Sequence, residues 1–374
     1  MNQRTRLRFL LSAALVAAFL FSTAGVQAAQ PEAPTVNLIL WIFSDTLNPT
    51  ETAAVNAYQL SHPDVSITVY HPANLMGELA SAPPEALPDI ILYPNDAMAM
   101  LLLNHHLIRL ESYGITSVYL SANYEPAAVQ AAMFGGVVYA IPHLQEGIAL
   151  LYNKDTLPAQ YLPTDPLGFT DLASKAALYR ATYPTKTLIC NQGFSSVDAY
   201  HVAPIFFGYG IPDYIDQAGR IYVNDPRAVS AAGWIHNLRA VSLAANDYDT
   251  CKNGLLNGSV GMWWTGPWAV TGLNAGGLAS DKIGLAPMGI PYVGIKQNMV
   301  TAYAASRGYA DEAIDFIKFF DGTANSILYA TQENQIPANT AALNSTDVQA
   351  LPLITAFADA IALGTPLAKS IYSS

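Results

Sequence analysis

Residues 35–43 read TVNLILWIF, a run in which only Thr35 and Asn37 are polar. A near-continuous apolar stretch of that kind suits a strand buried on both faces of a parallel sheet. Downstream, Asn48, Pro49 and Glu51 stand where a helix needs its N-cap, N1 and N3 residues. That helix turns Ala54, Val55 and Tyr58 inward and stops before Pro63. Val65 to His71 alternates as a second strand. Asp89 to Tyr93 (DIILY) reads as a third, followed by a helix through Met98, Leu101 and Leu102. Strand, helix, strand, helix in that order means an α/β fold, with ligands expected at the carboxyl ends of the strands.

Later strands are expected at Val137–Ile141 and Gly147–Tyr152, split by Pro142-His143-Leu144-Gln145-Glu146, and at Thr187–Cys190, Ser259–Trp263 and Lys282–Ala286. Helices are expected at Ala228–Ala240 and Asp311–Phe320. The second has an apolar face at 313, 314, 316, 317 and 320 and a closing glycine at Gly322. The turn Tyr152-Asn153-Lys154-Asp155 reads as structural.

The chain has 374 residues, 52% hydrophobic and 12% charged. That is too long for one ordinary core and too apolar for disorder, so two domains are expected. No Pro/Gly/Ser-rich linker separates them, which suggests that the chain crosses between lobes more than once through short hinges. Arg4, Arg6 and Arg8, the apolar run Phe9–Phe21 and the small-x-small site Val26-Gln27-Ala28 read as a cleaved secretion signal, residues 1–28. The run is too short to span a bilayer. The mature chain is therefore expected outside the cytoplasm, periplasmic or extracellular. It would carry 14 basic and 28 acidic side chains, a net charge of −14. A field of that sign repels nucleic acid and anionic lipid.

No GxGxxG, P-loop, GxSxG, HExxH or CxxC motif is present, and the seven histidines are scattered. No cofactor, metal site or enzyme activity is expected. Adjacent His105 and His106 read as surface residues at a helix end.

Three segments together carry a resemblance: LPDIILYPNDAMAMLLLNHHLIRL (87–110), FGGVVYAIPHLQEGIALLYNKDTLP (134–158) and LLNGSVGMWWTGPWAV (255–270), followed by KIGLAPMG. In that order and spacing they resemble the extracellular solute-binding proteins of sugar ABC transporters, nearest the maltodextrin-binding cluster. The resemblance implies two α/β lobes around a cleft, hinge closure on a saccharide, a membrane permease as partner, and a monomer. Lobe one is expected over 34–142 plus 289–335, and lobe two over 143–288 plus 336–374. The family usually continues past a turn like Gly364-Thr365-Pro366 with terminal helices on lobe two and often an aromatic for the cleft. This sequence ends at Ser374 without them.

A sugar site needs aromatic planes for ring faces and carboxylates or amides for hydroxyls. Trp268, following Gly-Pro at a strand end, is badly placed for a core and well placed as a platform. By resemblance, Tyr93 and Asp96 line the first lobe's cleft, although Asp96 is equally suited to capping the helix from Ala97. Asp45 matches an acidic cleft position and otherwise reads as a solvated loop residue. Thr46 stands where some members carry lysine. Glu146 matches an acidic hinge residue facing the ligand; the alternative is a solvated hinge charge. Trp263 and Trp264 are adjacent and face opposite ways on a strand. One is expected in the core, and Trp264 is the cleft candidate. Trp41 reads as core. Tyr200 and His201 fall in a segment (190–201) that supplies second-lobe ligand residues in the family. Cys190 and Cys251 lie in the same expected lobe and, in an oxidising compartment, are expected to form a disulfide. Rival functions are a binder of a non-sugar solute, such as a polyamine or anion, and a secreted glycosidase using Asp96 and Glu146.

Overall fold

The computed structural model describes residues 35–366 apart from 197, 217 and 244. The expected secretion signal lies outside the described residues. The strands are β1 (Val36–Ile42), β2 (Val65–Tyr70), β3 (Ile90–Pro94), β4 (Met133–Phe134), β5 (Val137–Val138), β6 (Ala140–Glu146), β7 (Ala149–Asn153), β8 (Thr187–Cys190), β9 (Val260–Thr265), β10 (Ile283–Ala286), β11 (Tyr292–Val300), β12 (Ile336–Pro337) and β13 (Thr365–Pro366). One sheet has the order β12-β6-β11-β3-β1-β2, with β13 alongside β11; a second has the order β10-β7-β9-β8. β4 and β5 form a small hairpin.

β1 pairs in parallel with both β2 and β3, and Leu38 to Ile42 are buried. The capping box forms as expected. The Asn48 side chain accepts from the Glu51 N–H at 2.8 Å, and the Glu51 carboxylate accepts from the Asn48 N–H at 2.9 Å. The helix Pro49–Ser61 buries Ala54, Val55 and Tyr58. Helix Ala310–Phe320 buries all five residues of its expected apolar face. Gly322 does not close it through a left-handed turn. Its φ is −64°, and it is the N-cap of the next helix, Thr323–Glu333.

The expected break at Pro142–Glu146 is instead the body of β6. Lys296 pairs with Leu144 and Gln297 with Pro142, so His143 is an extra residue, a bulge opposite an uninterrupted β11. A bulge is where a sheet accepts a proline, because the missing N–H falls at the ladder's irregularity. The chain therefore leaves the first sheet after Glu146 rather than at Pro142, and Gly147-Ile148 makes the crossing. It returns between Ala286 and Tyr292. Ile336–Pro337, expected in lobe two, pairs with Gln145 and Leu144 in the first sheet.

The bulge turns His143 into the core, where its ring nitrogens lie 3.1 Å from the Glu51 carboxylate and 2.7 Å from Asp321. Asn298 donates to the other Asp321 oxygen at 2.9 Å. Burial alone would push His143 down, but Asp321 and Glu51 carry it up to about 9. A raised histidine contributes stability that is complete below its unfolded value of ~6.5 and lost as pH rises through the folded value. Urea denaturation should therefore show on the order of 3 kcal/mol lost between about pH 6.5 and 9.5. His143→Gln should be less stable at pH 6 and lack that alkaline slope. A slope that survives in the variant would assign it to other groups.

Candidate functional site

A cavity of about 1200 Å³ lies between the two halves of the molecule. The first sheet contributes Pro94, Asp96, Glu146, Gly294 and Lys296, with Phe43 and Ser44 beyond the end of β1. The opposite wall includes Asp198, Tyr200 and His201 at the start of helix Ala199–Gly208, and Trp268. The site thus lies at strand ends and beside the crossings, as an α/β sheet dictates.

Trp268 occupies the N-cap position of the helix Ala269–Ala275 and is half-buried. Its ring lies against Gly266, where an added Cβ would stand 2.2 Å from the indole. Only a residue without a side chain lets the ring lie flat on that backbone. Tyr200 and His201 stand 6.1 Å from the indole, and Tyr292 stacks on Tyr200 at 6.4 Å. The Tyr292 hydroxyl donates to Asp213 at 2.5 Å.

Glu146, the last residue of β6, pairs with Lys296 on β11 at 2.8 Å. Burial would lower the Lys296 ammonium, but Glu146 beside it holds it above its ordinary value. Glu146 thus lines the cavity as half of a shielded ion pair rather than as the solvated hinge charge of the alternative. Asp96 lines the cavity and also accepts from the Ala97 N–H at 3.0 Å, so capping and cleft exposure coexist. The enclosing walls raise its carboxyl above the usual range, partly offset by that N–H. Asp198 caps its helix by accepting from the His201 N–H and lies 2.7 Å from the His201 ring. Burial would raise Asp198, but His201 holds it below the usual range. His201 Nε2 is buried with no hydrogen-bond partner among the described residues.

Asp96, Glu146, Tyr200, His201 and Trp268 are thus brought together. Three expected residues are not. Trp264 is fully buried in the second core with Trp234 and Phe169. β9 lies between β7 and β8 with packed side chains on both faces, so neither tryptophan reaches the cleft; Trp263 packs on Tyr248 at 5.1 Å. Asp45 has a 99% exposed side chain 3.5 Å from His71, off the cavity. Tyr93 is buried behind the wall, its ring 5.4 Å from Phe43, which does line it. Lys296, Phe43, Asp198 and Tyr292 were not expected. Lys296 had a readable signal: it is the lone charge in YVGIKQNMV (292–300).

Two α/β bodies, paired crossings and a cleft lined from both sides define a solute-binding architecture. The sequence model for bacterial extracellular solute-binding proteins matches residues 53–356, and the chain belongs to that family. It is 25% identical over 321 residues to the maltotriose-binding protein of Pyrococcus abyssi, covering 81% of this chain but 66% of that relative. It is 24% identical over 297 residues to the maltodextrin-binding protein MdxE of Bacillus subtilis, covering 75% and 67%. Among solved structures, the GacH receptor of Streptomyces glaucescens superposes with a TM-score of 0.75 at 21% identity, covering 91% of this chain and 89% of that one. The Thermus thermophilus maltotriose binding protein gives 0.70 at 20% identity, covering 89% of each chain. No helix among the described residues is long and apolar enough to cross a membrane.

Proposed function

We propose that this chain is the extracytoplasmic saccharide-binding component of an ABC importer, secreted by its N-terminal signal and docking on a membrane permease as a monomer. The observation that carries the reading is the cleft itself. An indole and a phenol stand beside Asp96, the Glu146–Lys296 pair and His201 in one cavity. Aromatic planes take the apolar faces of sugar rings, and the charged groups exchange hydrogen bonds with hydroxyls. Residues 35–146 with 292–343 would act as lobe one and 149–286 as lobe two. Each contributes one wall, so a sugar touching both favours the closed state and shifts the population toward it.

The return crossing requires glycine at a defined place. Gly289 has φ +71°, and a Cβ there would stand 2.0 Å from the Pro204 carbonyl oxygen. The polyamine reading is weaker, because Glu146 is already matched by the Lys296 ammonium. Asp96 and Asp198 are the other acids that line the cavity, and Asp198 lies 2.7 Å from the His201 ring.

Calorimetric titration with malto-oligosaccharides, a wider sugar panel and spermidine tests this. One saccharide should bind at one site per chain. At a hundredfold excess over its Kd it should stabilise the fold by about 2.7 kcal/mol. Spermidine binding with no response to any sugar would replace the reading with the polyamine one.

A further inference from the structure

The cavity's lining is chemically uneven. Beside Trp268 stand Tyr200 and His201, with Asp198 against the His201 ring. The second-lobe wall also carries Val202 and Phe206 on helix Ala199–Gly208, Ile215 and Val223, and Val229 and Ala232 on helix Pro226–Leu238. Val202 and Phe206 are four apart and share a helix face. Val223 and Val229 are 52% and 63% exposed, large apolar side chains left uncovered in the lining of the same cavity.

The polar groups near these side chains are engaged, including the cavity-lining Asp198, which accepts from the His201 N–H at 3.0 Å, and Ser196, whose hydroxyl donates to the Gln192 carbonyl at 2.9 Å. The Tyr214 hydroxyl, at the cavity wall, donates to the Ala199 carbonyl at 2.9 Å. Asp213 accepts from Tyr292, and Asp216 accepts from the Ala218 and Arg220 N–H groups at 2.9 Å. Arg227 is paired with Asp225 at 2.8 Å. Asp213, Asp216, Asp225 and Arg227 do not line the cavity. A further sugar ring on this wall would press several hydroxyls against side chains that cannot bond them, and each such loss is costly. A neutral apolar group there would instead remove apolar surface from water on both partners.

We propose that the ligand is a glycoside carrying a neutral apolar aglycone, aryl or short alkyl. The sugar occupies the Trp268 platform and the aglycone lies on the Val202–Phe206–Val223–Val229 wall. This rests on the saccharide reading above and narrows its substrate class. It accounts for a cleft that presents both the Trp268 platform and a large apolar patch on the second-lobe wall.

The test compares methyl and phenyl α-maltoside on the full chain by calorimetry, in the wild type and in a Val223→Ser/Val229→Ser double variant. Both positions are exposed, so the fold is expected to survive, and circular dichroism checks that it does. Phenyl α-maltoside should bind at least tenfold tighter than the methyl compound. The double variant should lose most of that ratio while binding methyl α-maltoside as the wild type does. Equal affinities in the wild type, or a ratio unchanged in the variant, would overturn the proposal. If neither maltoside binds, the choice of sugar fails, and the wall is read separately with the neutral probe N-phenyl-1-naphthylamine. Fluorescence enhancement that the double variant abolishes supports the apolar subsite; no enhancement in the wild type overturns it.

Discussion

Trp268→Ala should weaken saccharide binding at least about thirtyfold, with the fold retained. The indole is half-buried, lines the cavity, and has Tyr200 and His201 at its edges. Stacking a sugar ring on it removes apolar area from water on both partners. Each hydroxyl–carboxylate bond merely replaces one made to water. Desolvated aromatic anchors commonly cost more than about 2 kcal/mol on truncation, and ~1.4 kcal/mol is one decade of affinity. Gly266→Ala separates platform from mass. It keeps the indole but places a Cβ 2.2 Å from where the ring now lies, so the ring must tilt away. It should weaken binding in the same direction with Trp268 still present. Titration of both variants with the sugar that the panel identifies decides the matter. Normal binding by the folded Trp268→Ala protein would remove the residue from the site.

How much of this was readable in the chain depends on whether the signal was local. TVNLILWIF is a buried parallel strand because nothing but burial on both faces uses such a run. The Asn48–Glu51 box is a short-range hydrogen-bond pattern, legible from spacing alone. Pro142 misled because a proline argues against a strand unless a bulge absorbs it. The bulge is set by the pairing of β6 with β11, some 150 residues away in sequence. Trp264 misled for a related reason. Alternation assigns opposite faces to Trp263 and Trp264 but does not say whether both faces are covered, and in β9 they are. The Glu146–Lys296 pair is the clearest case. Glu146 is recognisable from its neighbours, yet whether it is a bare charge or half of an ion pair depends on a strand that returns from the other lobe.

Reducing the Cys190–Cys251 disulfide should destabilise the second lobe by about 4 kcal/mol. The bond is present, with Cα atoms 5.5 Å apart and a sequence separation of 61 between the two cysteines. Cross-linking removes conformational freedom from the unfolded chain, and a loop of that length gives about 4 kcal/mol in the chain-entropy account. The bond ties the end of β8 to helix Tyr248–Asn257, and both half-cystines are fully buried. Directly after Cys190, the chain turns through Asn191–Phe194 and enters the helix that carries Asp198, Tyr200 and His201. The same bond therefore anchors the root of the cleft wall. A Cys190→Ser/Cys251→Ser variant should melt roughly 10 °C lower for a lobe of this size. It should also bind sugar more weakly, because ordering the wall now costs part of the binding free energy. Calorimetric melting with and without sugar reads both effects. Thiol titration of the unfolded, unreduced wild type should find no reactive thiol among the two cysteines, and finding two would abolish the premise. An unchanged melting temperature in the variant would mean that packing of Cys190 and Cys251, rather than the bond, holds the wall.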